Sequence, residues 1–580
     1  MKHPYPGGPL NEIPEYYSIP EMVKTSANIY GVKTFMIESS EQGRSINFTE
    51  LAESVENLTR GILDIQKKPV AGIVGSNSIE WATVFLAVIR AGGIAVPIDR
   101  ELPISEIHAI LHFSRANMLF FDERFSDDVQ NRLKEQAKSI TLVTMNETSA
   151  GQFRTLSGLS IKGRGSDTVI PENYDIDAPA VVSYTSGTMG KAKGVVLSQG
   201  NLLSDVRQML QAVGLKHSEI FLSILPMHHM YECVCGFLCP LYHGSTIVFC
   251  SSLKNITDDM NKYKTTIMLG VPLLWEAIYR RVMAGIRAVK GGNLKLKIGL
   301  AVSTTGETLG LKQIRKRIFA EIHKKLGEGM EYLVSGGAGI DPDVVKGFEK
   351  LGFIFLQGYG LTECSPILAL NRDTANVLGS VGLPLPDVDV RIDNPDEYGV
   401  GEILGRGPNI MLGYHDNPEE TEKVLSPDGW FRTGDFGYMD SQGFLFITGR
   451  KKNIIVAKNG KNVYPEELEQ TLAKSKYFLE TMVFGRSSYQ KGEEIWVIVV
   501  PDMDLFISQE EAEGEQISPE LIQSKVSDEI ARINKSQPSY RRITKFLLRS
   551  AELPKTTTKK VRRKEALKEA GLEQEAAFKV

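Results

Sequence analysis

The chain has 580 residues, 42% of them hydrophobic and 24% charged, with a formal net charge of −4. That length exceeds one hydrophobic core and predicts roughly three to four domain-sized units. The near-neutral charge gives no footprint for nucleic acid. The five cysteines form no regular framework, which excludes a disulfide scaffold and fits a reducing compartment. The N-terminal residues Met1 to Pro6 lack an apolar signal core, and no apolar run reaches the ~18 residues that span a bilayer. A soluble, cytoplasmic protein is expected, with peripheral membrane contact left open.

In chain order, Val70 to Val74 reads as a strand, Ile79 to Arg90 as an apolar helix, and Ile94 to Ile98 as a second strand entered through Gly92-Gly93. Met118 to Phe121, Ile140 to Thr144, Ile220 to Leu225 and Ser245 to Phe249 continue the series. Short strands alternating with helices predict parallel-rich α/β sheets. Thr266 to Trp275 reads as buried strand or helix. Arg280 to Leu326 is rich in Lys and Arg and reads as amphipathic helices whose basic face is solvated by default, with anionic lipid or a phosphorylated cofactor as the minority reading. From Leu385 to Ile447 the turn residues multiply, which predicts a small antiparallel β subdomain. Gly449 to Asn453 then interrupts the strand-like runs Phe444 to Ile447 and Ile454 to Val456. The expected fold is therefore a large α/β N-terminal domain, 1–450, and a small mobile α/β C-terminal domain, 453–580, with a hinge near 450–453.

The densest chemical signal is Tyr184-Thr185-Ser186-Gly187-Thr188-Met189-Gly190-Lys191-Ala192-Lys193-Gly194, which follows the apolar run Ala180 to Val182. Glycines let backbone N–H groups approach oxygens, hydroxyls donate, and lysine neutralises charge, so the loop suits a polyphosphate. A solvent-exposed hairpin turn is the alternative, but ordinary turns need fewer such residues. The spacing is not that of the common nucleotide loop: two residues separate Gly187 from Gly190, and Ala192 follows Lys191 where that loop has Ser or Thr.

Further clusters sit at strand exits, where open α/β sheets bind ligands. In Gly358-Tyr359-Gly360-Leu361-Thr362-Glu363, Tyr359 can stack on a base, Thr362 can bond a phosphate oxygen, and Glu363 can hold a hard cation such as Mg2+. Ser335-Gly336-Gly337-Ala338 is a similar exit. Trp430 to Asp435 places Asp435 as a partner for ribose hydroxyls, against the alternative of an Asx turn. Leu553 to Arg563 is either a functional basic segment or a disordered tail. Cys233, Cys235 and Cys239 lie near His228, His229 and His243, but C-x-C-x3-C is not a usual zinc spacing, and buried structural cysteines are expected.

These clusters, in this order, resemble the adenylate-forming superfamily of acyl-CoA synthetases, peptide-synthetase adenylation domains and luciferases, over nearly the whole chain. Leu225 to His229, the basic helical segment before Ser335, and Lys458 to Glu467 resemble a long-chain fatty acyl-CoA synthetase. The resemblance implies that a medium- or long-chain fatty acid attacks the α-phosphate of Mg·ATP, and that coenzyme A then captures the acyl-adenylate. It implies that Thr185, Ser186, Gly187, Thr188, Gly190 and Lys191 hold the β- and γ-phosphates. By the same likeness Thr362 touches the α-phosphate, Glu363 holds Mg2+, and Gly337, Ala338, Tyr359 and Gly360 border the nucleotide. Asp435 takes the ribose, Arg450 the ribose or phosphate, and His229 lies near the acyl pocket. Lys452 matches the hinge, Gly460 the pantetheine channel, and Lys560 the catalytic lysine. Lys559 replaces the glycine usual before that lysine and competes with it; Asn453 replaces an acidic residue common after the hinge. Two other readings stand beside this one. An enzyme that loads an amino or aryl acid onto a carrier protein is weakened by the absence of Asp from Pro226 to Glu232, although Glu232 lies close. A non-catalytic nucleotide-binding scaffold is weakened by Lys191, Thr362, Glu363, Asp435 and Lys560 occurring together.

Overall fold

The computed structural model describes residues 10–40, 43–133, 139–146, 153–185, 193–288, 319–487, 492–513, 517–556 and 560–572. The chain divides into two compact units. The first comprises Met1–Arg391, Leu404–Arg432 and Ser441–Leu445; the second comprises Ile392–Ile403, Thr433–Asp440 and Phe446–Val580. The expected boundary at 450–453 lies inside the second unit. The class is α/β, as expected.

Among its described residues the first unit carries two large sheets. One has eight strands: Gly413–Tyr414, Lys193–Ser198, Pro179–Thr185, Ile94–Ile98, Val70–Val74, Met118–Phe121, Thr141–Thr144 and Arg154–Thr155, in that spatial order. Its interior strands from Ile94–Ile98 to Thr141–Thr144 pair in parallel. The helix Ile79–Arg90 supplies a crossover. Ser78 caps it by accepting from the Trp81 N–H at 3.1 Å, and every residue from Trp81 to Ile89 is buried. Such a helix has no polar face to give water, so it must be covered on all sides. Each large side chain in it contributes about 1.5–3 kcal/mol through burial.

The second sheet has nine strands: Leu383–Pro384, Ile367–Leu370, Ile354–Gly360, Tyr332–Ser335, Ile267–Gly270, Ile220–Ser223, Thr246–Phe249, Thr34–Glu38 and Ser45–Asn47. Six consecutive strands from Ile354–Gly360 to Thr34–Glu38 are parallel. Their carboxyl ends carry the glycine-rich exits singled out above. Trp275, Phe348, Phe353 and Phe355 pack a core beneath them. Thr266 to Trp275 resolves into the strand Ile267–Gly270 and the start of the helix Pro272–Ala288. Of the expected basic helical segment, residues 289–318 lie outside the described residues.

The second unit holds a three-stranded sheet, Phe478–Ser487, Glu493–Pro501 and Lys545–Leu548, with a hairpin of Ile455–Val456 and Asn462–Val463. Leu468 and Leu472 of the helix Pro465–Leu472, and Val526, Ile530 and Ile533 of the helix Pro519–Lys535, close its core over Val483, Val497 and Val499. A further sheet has four strands, Asp389–Asp393, Gly401–Arg406, Phe431–Met439 and Leu445–Arg450. The last of these runs through Gly449 and Arg450, which the sequence reading placed in an interruption. Gly449 makes this continuation fit, because a Cβ there would lie 2.6 Å from Glu466 Oε2 and 3.2 Å from Tyr464 Cβ. The interruption itself is the short turn Lys451–Asn453. No helix among the described residues is long and apolar enough to cross a membrane.

Candidate functional site

The strands Pro179–Thr185 and Lys193–Ser198 form an antiparallel hairpin in which Thr185 faces Lys193 and Tyr184 faces Gly194. The hairpin fixes both ends of the glycine-rich loop. Ser186, Gly187, Thr188, Gly190 and Lys191 lie outside the described residues; Thr185 stands at the hairpin's end. Gly194 allows close packing, since a Cβ there would meet Val182 Cγ1 at 2.9 Å and Tyr184 Cζ at 3.0 Å. The Tyr184 hydroxyl is buried with no partner among the described residues, and burial pushes its pKa up to about 12.

Lys193 points to a second partner set. Its ammonium lies 2.5 Å from Glu420 Oε2 and 4.8 Å from the centroid of the Tyr414 ring. Lys193, then Lys423, hold the Glu420 carboxyl down at about 2. Tyr414 in turn donates its hydroxyl to Glu363 Oε1 at 2.9 Å. Burial, and then the Glu363 charge, raise the Tyr414 pKa, so the phenol remains a donor at neutral pH.

Glu363 sits in a single helical turn, Thr362–Cys364, directly beyond the strand Ile354–Gly360. Gly360 is required there by space: a Cβ would lie 1.7 Å from the Pro366 carbonyl oxygen. The segment 408–415 straps this turn to the loop hairpin. Asn201 Nδ2 donates to the carbonyls of Pro408 and Ile410, at 2.8 and 2.9 Å. Asn409 Nδ2 donates to those of Cys364 and Ile367, at 3.1 and 2.6 Å. The Met411 N–H reaches Glu363 O at 2.9 Å, Leu412 N–H reaches Val196 O at 2.9 Å, and His415 N–H reaches Gly194 O at 2.7 Å. Beneath them Asp205, fully buried, accepts from the Ile367 N–H at 3.2 Å, and burial raises its pKa well above the carboxylate range. Tyr414, Asn409 and Asp205 were not singled out from sequence. The only signal was the pair Gly413-Tyr414, which carries no periodicity of its own.

The strand Tyr332–Ser335 ends at Gly336, which packs against the Tyr231 ring, and Gly337 and Ala338 follow as exposed residues. Tyr359 is buried and Thr362 half-buried on the neighbouring exit. His229 lies in the turn after the strand Ile220–Ser223, its N–H donating to Pro226 O at 3.1 Å. Asn77 holds that turn by donating to Leu225 O at 2.7 Å and accepting from the Met227 N–H at 2.9 Å. The rings of His228 and His229 lie 4.2 Å apart. Burial, then Arg100, pull the His228 pKa down to about 3, so the ring is neutral. Glu232 is 1% exposed and accepts from Ser223 Oγ at 2.5 Å. Burial pushes it up to about 8. Cys233, Cys235 and Cys239 are buried free thiols with raised pKa values. That suits packing rather than ligation.

In the second unit the buried Asp435 carboxylate accepts from Arg450 Nε at 2.9 Å, and Thr433 Oγ1 accepts from the Asp435 N–H at 3.1 Å. Lys452 is an exposed residue whose ammonium end is partly desolvated; that, and then Arg450, pull its pKa down to about 8 against the opposing field of Asp435. Asn453, where an acidic residue was expected, donates to Glu466 Oε1 at 2.6 Å. Gly460 turns the hairpin with φ +79°, a conformation that favours glycine. Near the C-terminus, Thr556 N–H donates to Lys560 O at 2.8 Å, and Lys560 N–H to Thr556 Oγ1 at 3.1 Å. This turn carries an exposed Lys560. Lys555 is instead bound by Glu480 and Glu552. Lys559 lies outside the described residues.

Among solved structures, o-succinylbenzoate CoA synthetase from Bacillus subtilis, in complex with its acyl-adenylate intermediate, shares the fold. Its TM-score is 0.72 at 20% identity, over 93% of this chain and 96% of that one. A long-chain-fatty-acid–CoA ligase of Yersinia pestis is 27% identical over 84% of this chain and 86% of its own length. A chloroplastic long-chain-fatty-acid–[acyl-carrier-protein] ligase of Arabidopsis thaliana is 25% identical over 87% and 78%. Residues 23–415 match the family described as AMP-binding enzyme, and residues 452–579 the AMP-binding enzyme C-terminal domain. The chain thus belongs to the AMP-binding enzyme family, within the adenylate-forming superfamily, and resembles its long-chain acyl-CoA synthetases.

Proposed function

We propose that the protein activates a medium- or long-chain fatty acid with ATP and transfers the acyl group to the thiol of coenzyme A. The observation that carries this reading is the strap 408–415, which joins the phosphate-loop hairpin to the Glu363 turn within one unit. A phosphate cradle and a hard-cation ligand held by one rigid element suit a nucleotide triphosphate and its metal.

The donor set fits Mg2+: Glu363 presents a carboxylate with one oxygen fixed by Tyr414, and Mg2+ favours oxygen donors. When bound, the ion neutralises phosphate charge. The chain's own residues do the rest. Thr185, Ser186, Gly187, Thr188, Gly190 and Lys191 hold the β- and γ-phosphates, and Thr362 the α-phosphate. Gly337, Ala338 and Tyr359 border the base, Gly360 borders the nucleotide, and Asp435, oriented by Arg450, takes the ribose. The acid's carboxylate oxygen attacks the α-phosphorus, and pyrophosphate leaves with the bonding electron pair. Lys560 steadies the charge gathered on carboxylate and phosphate. In the second step the thiolate adds to the acyl carbon and AMP leaves. Lys452 is the hinge between the two steps, Gly460 lines the pantetheine path, and His229 borders the acyl group.

A second acceptor deserves the same assay, because one relative is a ligase for acyl-carrier protein. Both acceptors present a pantetheine thiol. The test is release of pyrophosphate and AMP across fatty acids from short to long, with amino and aryl acids as controls and with coenzyme A or a loaded carrier protein as acceptor. Fatty-acid-dependent AMP release with coenzyme A supports the reading. Release only with an aryl or amino acid, or only with the carrier protein, replaces it, and no release with any acid favours the scaffold. A cytoplasmic setting is part of the proposal.

A further inference from the structure

We propose that Asp99, His228 and His229 form a binding site for a divalent first-row transition metal, with Zn2+ the best match, separate from the hard-cation site at Glu363. Asp99 is the first residue beyond the strand Ile94–Ile98 of one large sheet, and the two histidines lie in the turn beyond the strand Ile220–Ser223 of the other. The donor atoms of all three residues lie within 4.8 Å of one another.

The geometry at His228 points to an ion rather than to a hydrogen bond. Its residue is 7% exposed, and Nε2 has no hydrogen-bond partner among the described residues. A buried polar atom left this way is costly and calls for a partner. Asp99 Oδ1 stands 3.6 Å away, beyond hydrogen-bond range. Two donors each ~2.0–2.2 Å from a tetrahedral zinc are roughly 3.3–3.6 Å apart. The pair is therefore spaced to share an ion, and a His229 donor lies within 4.8 Å of both.

The donor types select the metal. Two imidazoles and one carboxylate suit Zn2+ and its first-row neighbours, whereas Mg2+ takes oxygen ligands. Three protein ligands leave a fourth position for water. The backbone is already fixed: Asp99 Oδ1 accepts from the Glu101 N–H at 2.9 Å, and Asn77 clamps the turn ahead of His228. Among the described residues, Arg100 is the cation whose field opposes an ion at His228. It bonds Ser76 and lies 3.3 Å from Glu101, whose carboxylate offsets it. Arg100 and Pro226, next to the cluster in sequence, line a cavity of about 450 Å³.

Binding would engage His229, the residue proposed beside the acyl group, so zinc would inhibit acid activation; this consequence rests on the function proposed above. The binding itself does not, and it is tested first. Chelator-treated full-length protein is titrated with Co2+ and Zn2+, alongside His228→Gln, Asp99→Asn and Glu363→Gln. One site per chain is expected, with the visible bands of four-coordinate cobalt and no thiolate charge-transfer band. Each of His228→Gln and Asp99→Asn should weaken binding by at least about 10-fold, and Glu363→Gln should leave it unchanged. If His228→Gln does not fold, Asp99, whose side chain is 18% exposed, carries the comparison. No binding by the parent, a thiolate band, or unchanged affinity in Asp99→Asn overturns the proposal. If binding behaves as expected but zinc leaves fatty-acid-dependent pyrophosphate release intact, the site stands and the role given to His229 fails.

Discussion

Tyr414 donates its hydroxyl to Glu363 Oε1 at 2.9 Å, across 51 residues of chain. The same ring lies under the Lys193 ammonium, so one side chain touches both the carboxylate proposed for the metal and the end of the phosphate-loop hairpin. Hydrogen bonds to charged groups are worth about 1.5–3 kcal/mol. Tyr414→Phe should therefore raise the Mg·ATP concentration needed for half-maximal adenylate formation by about 10-fold, with KM for the acid unchanged. A titration of Mg2+ at fixed ATP reads this directly. An unaltered magnesium curve would show that Tyr414 only packs.

Lys560→Ala should abolish adenylate formation and retain thioester formation from supplied acyl-adenylate. The turn closed by Thr556 persists, because both of its bonds use the Lys560 backbone. Lys555→Ala should instead lower thermal stability, since its ammonium is bound by Glu480 and Glu552. Equal loss of both half-reactions in Lys560→Ala would remove the assigned role.

Asp435→Asn keeps the side chain's shape but removes the charge that faces Arg450. KM for ATP should rise by about 10-fold or more, at the scale of one charge-assisted hydrogen bond, while KM for the acid stays constant. A parallel comparison with 2′-deoxy-ATP identifies the ribose contact: the variant should discriminate less than the parent.

Glu232 gives a pH signature. Its carboxyl is held near 8 in the folded chain, above the ordinary 4.3 or so of an unfolded glutamate. The folded state then binds the extra proton, so this group's contribution to stability is fully present below about pH 4 and is lost as pH rises towards 8, at up to about 1.4 kcal/mol per pH unit. Glu232→Gln removes that dependence. Melting temperatures measured from pH 5 to pH 8 should fall for the parent relative to the variant. A gap that stays constant across that range contradicts the burial argument.

The elements legible in sequence were those whose signal is local. Val70–Val74, Ile79–Arg90 and Ile94–Ile98 match residue for residue, because a buried parallel strand and a wholly buried helix are written as unbroken apolar runs. The glycine exit at Gly336 was legible for the same reason, as the spacing of strand and glycine is read within ten residues, whereas Gly358 lies inside a strand that runs on to Gly360 and pairs with Leu370. The strap was not. Asn409 bonds Cys364 and Ile367, Asp205 bonds Ile367, and Gly413–Tyr414 pairs with Val195 and Val196. A two-residue strand has no period, and an asparagine that bonds distant carbonyls looks like any turn asparagine until the chain is folded.

The second compact unit is assembled from three stretches, 392–403, 433–440 and 446–580. Asp435 and its partner Arg450 come from different stretches, as do Glu402 and Lys451. A hybrid enzyme joined to a relative at one crossover near residue 450 would mix two parents inside this unit and draw the two partners of each ion pair from different parents. Exchange of the unit between relatives therefore requires all three stretches to travel together, so inheritance of this part of the molecule is by set and not by tail.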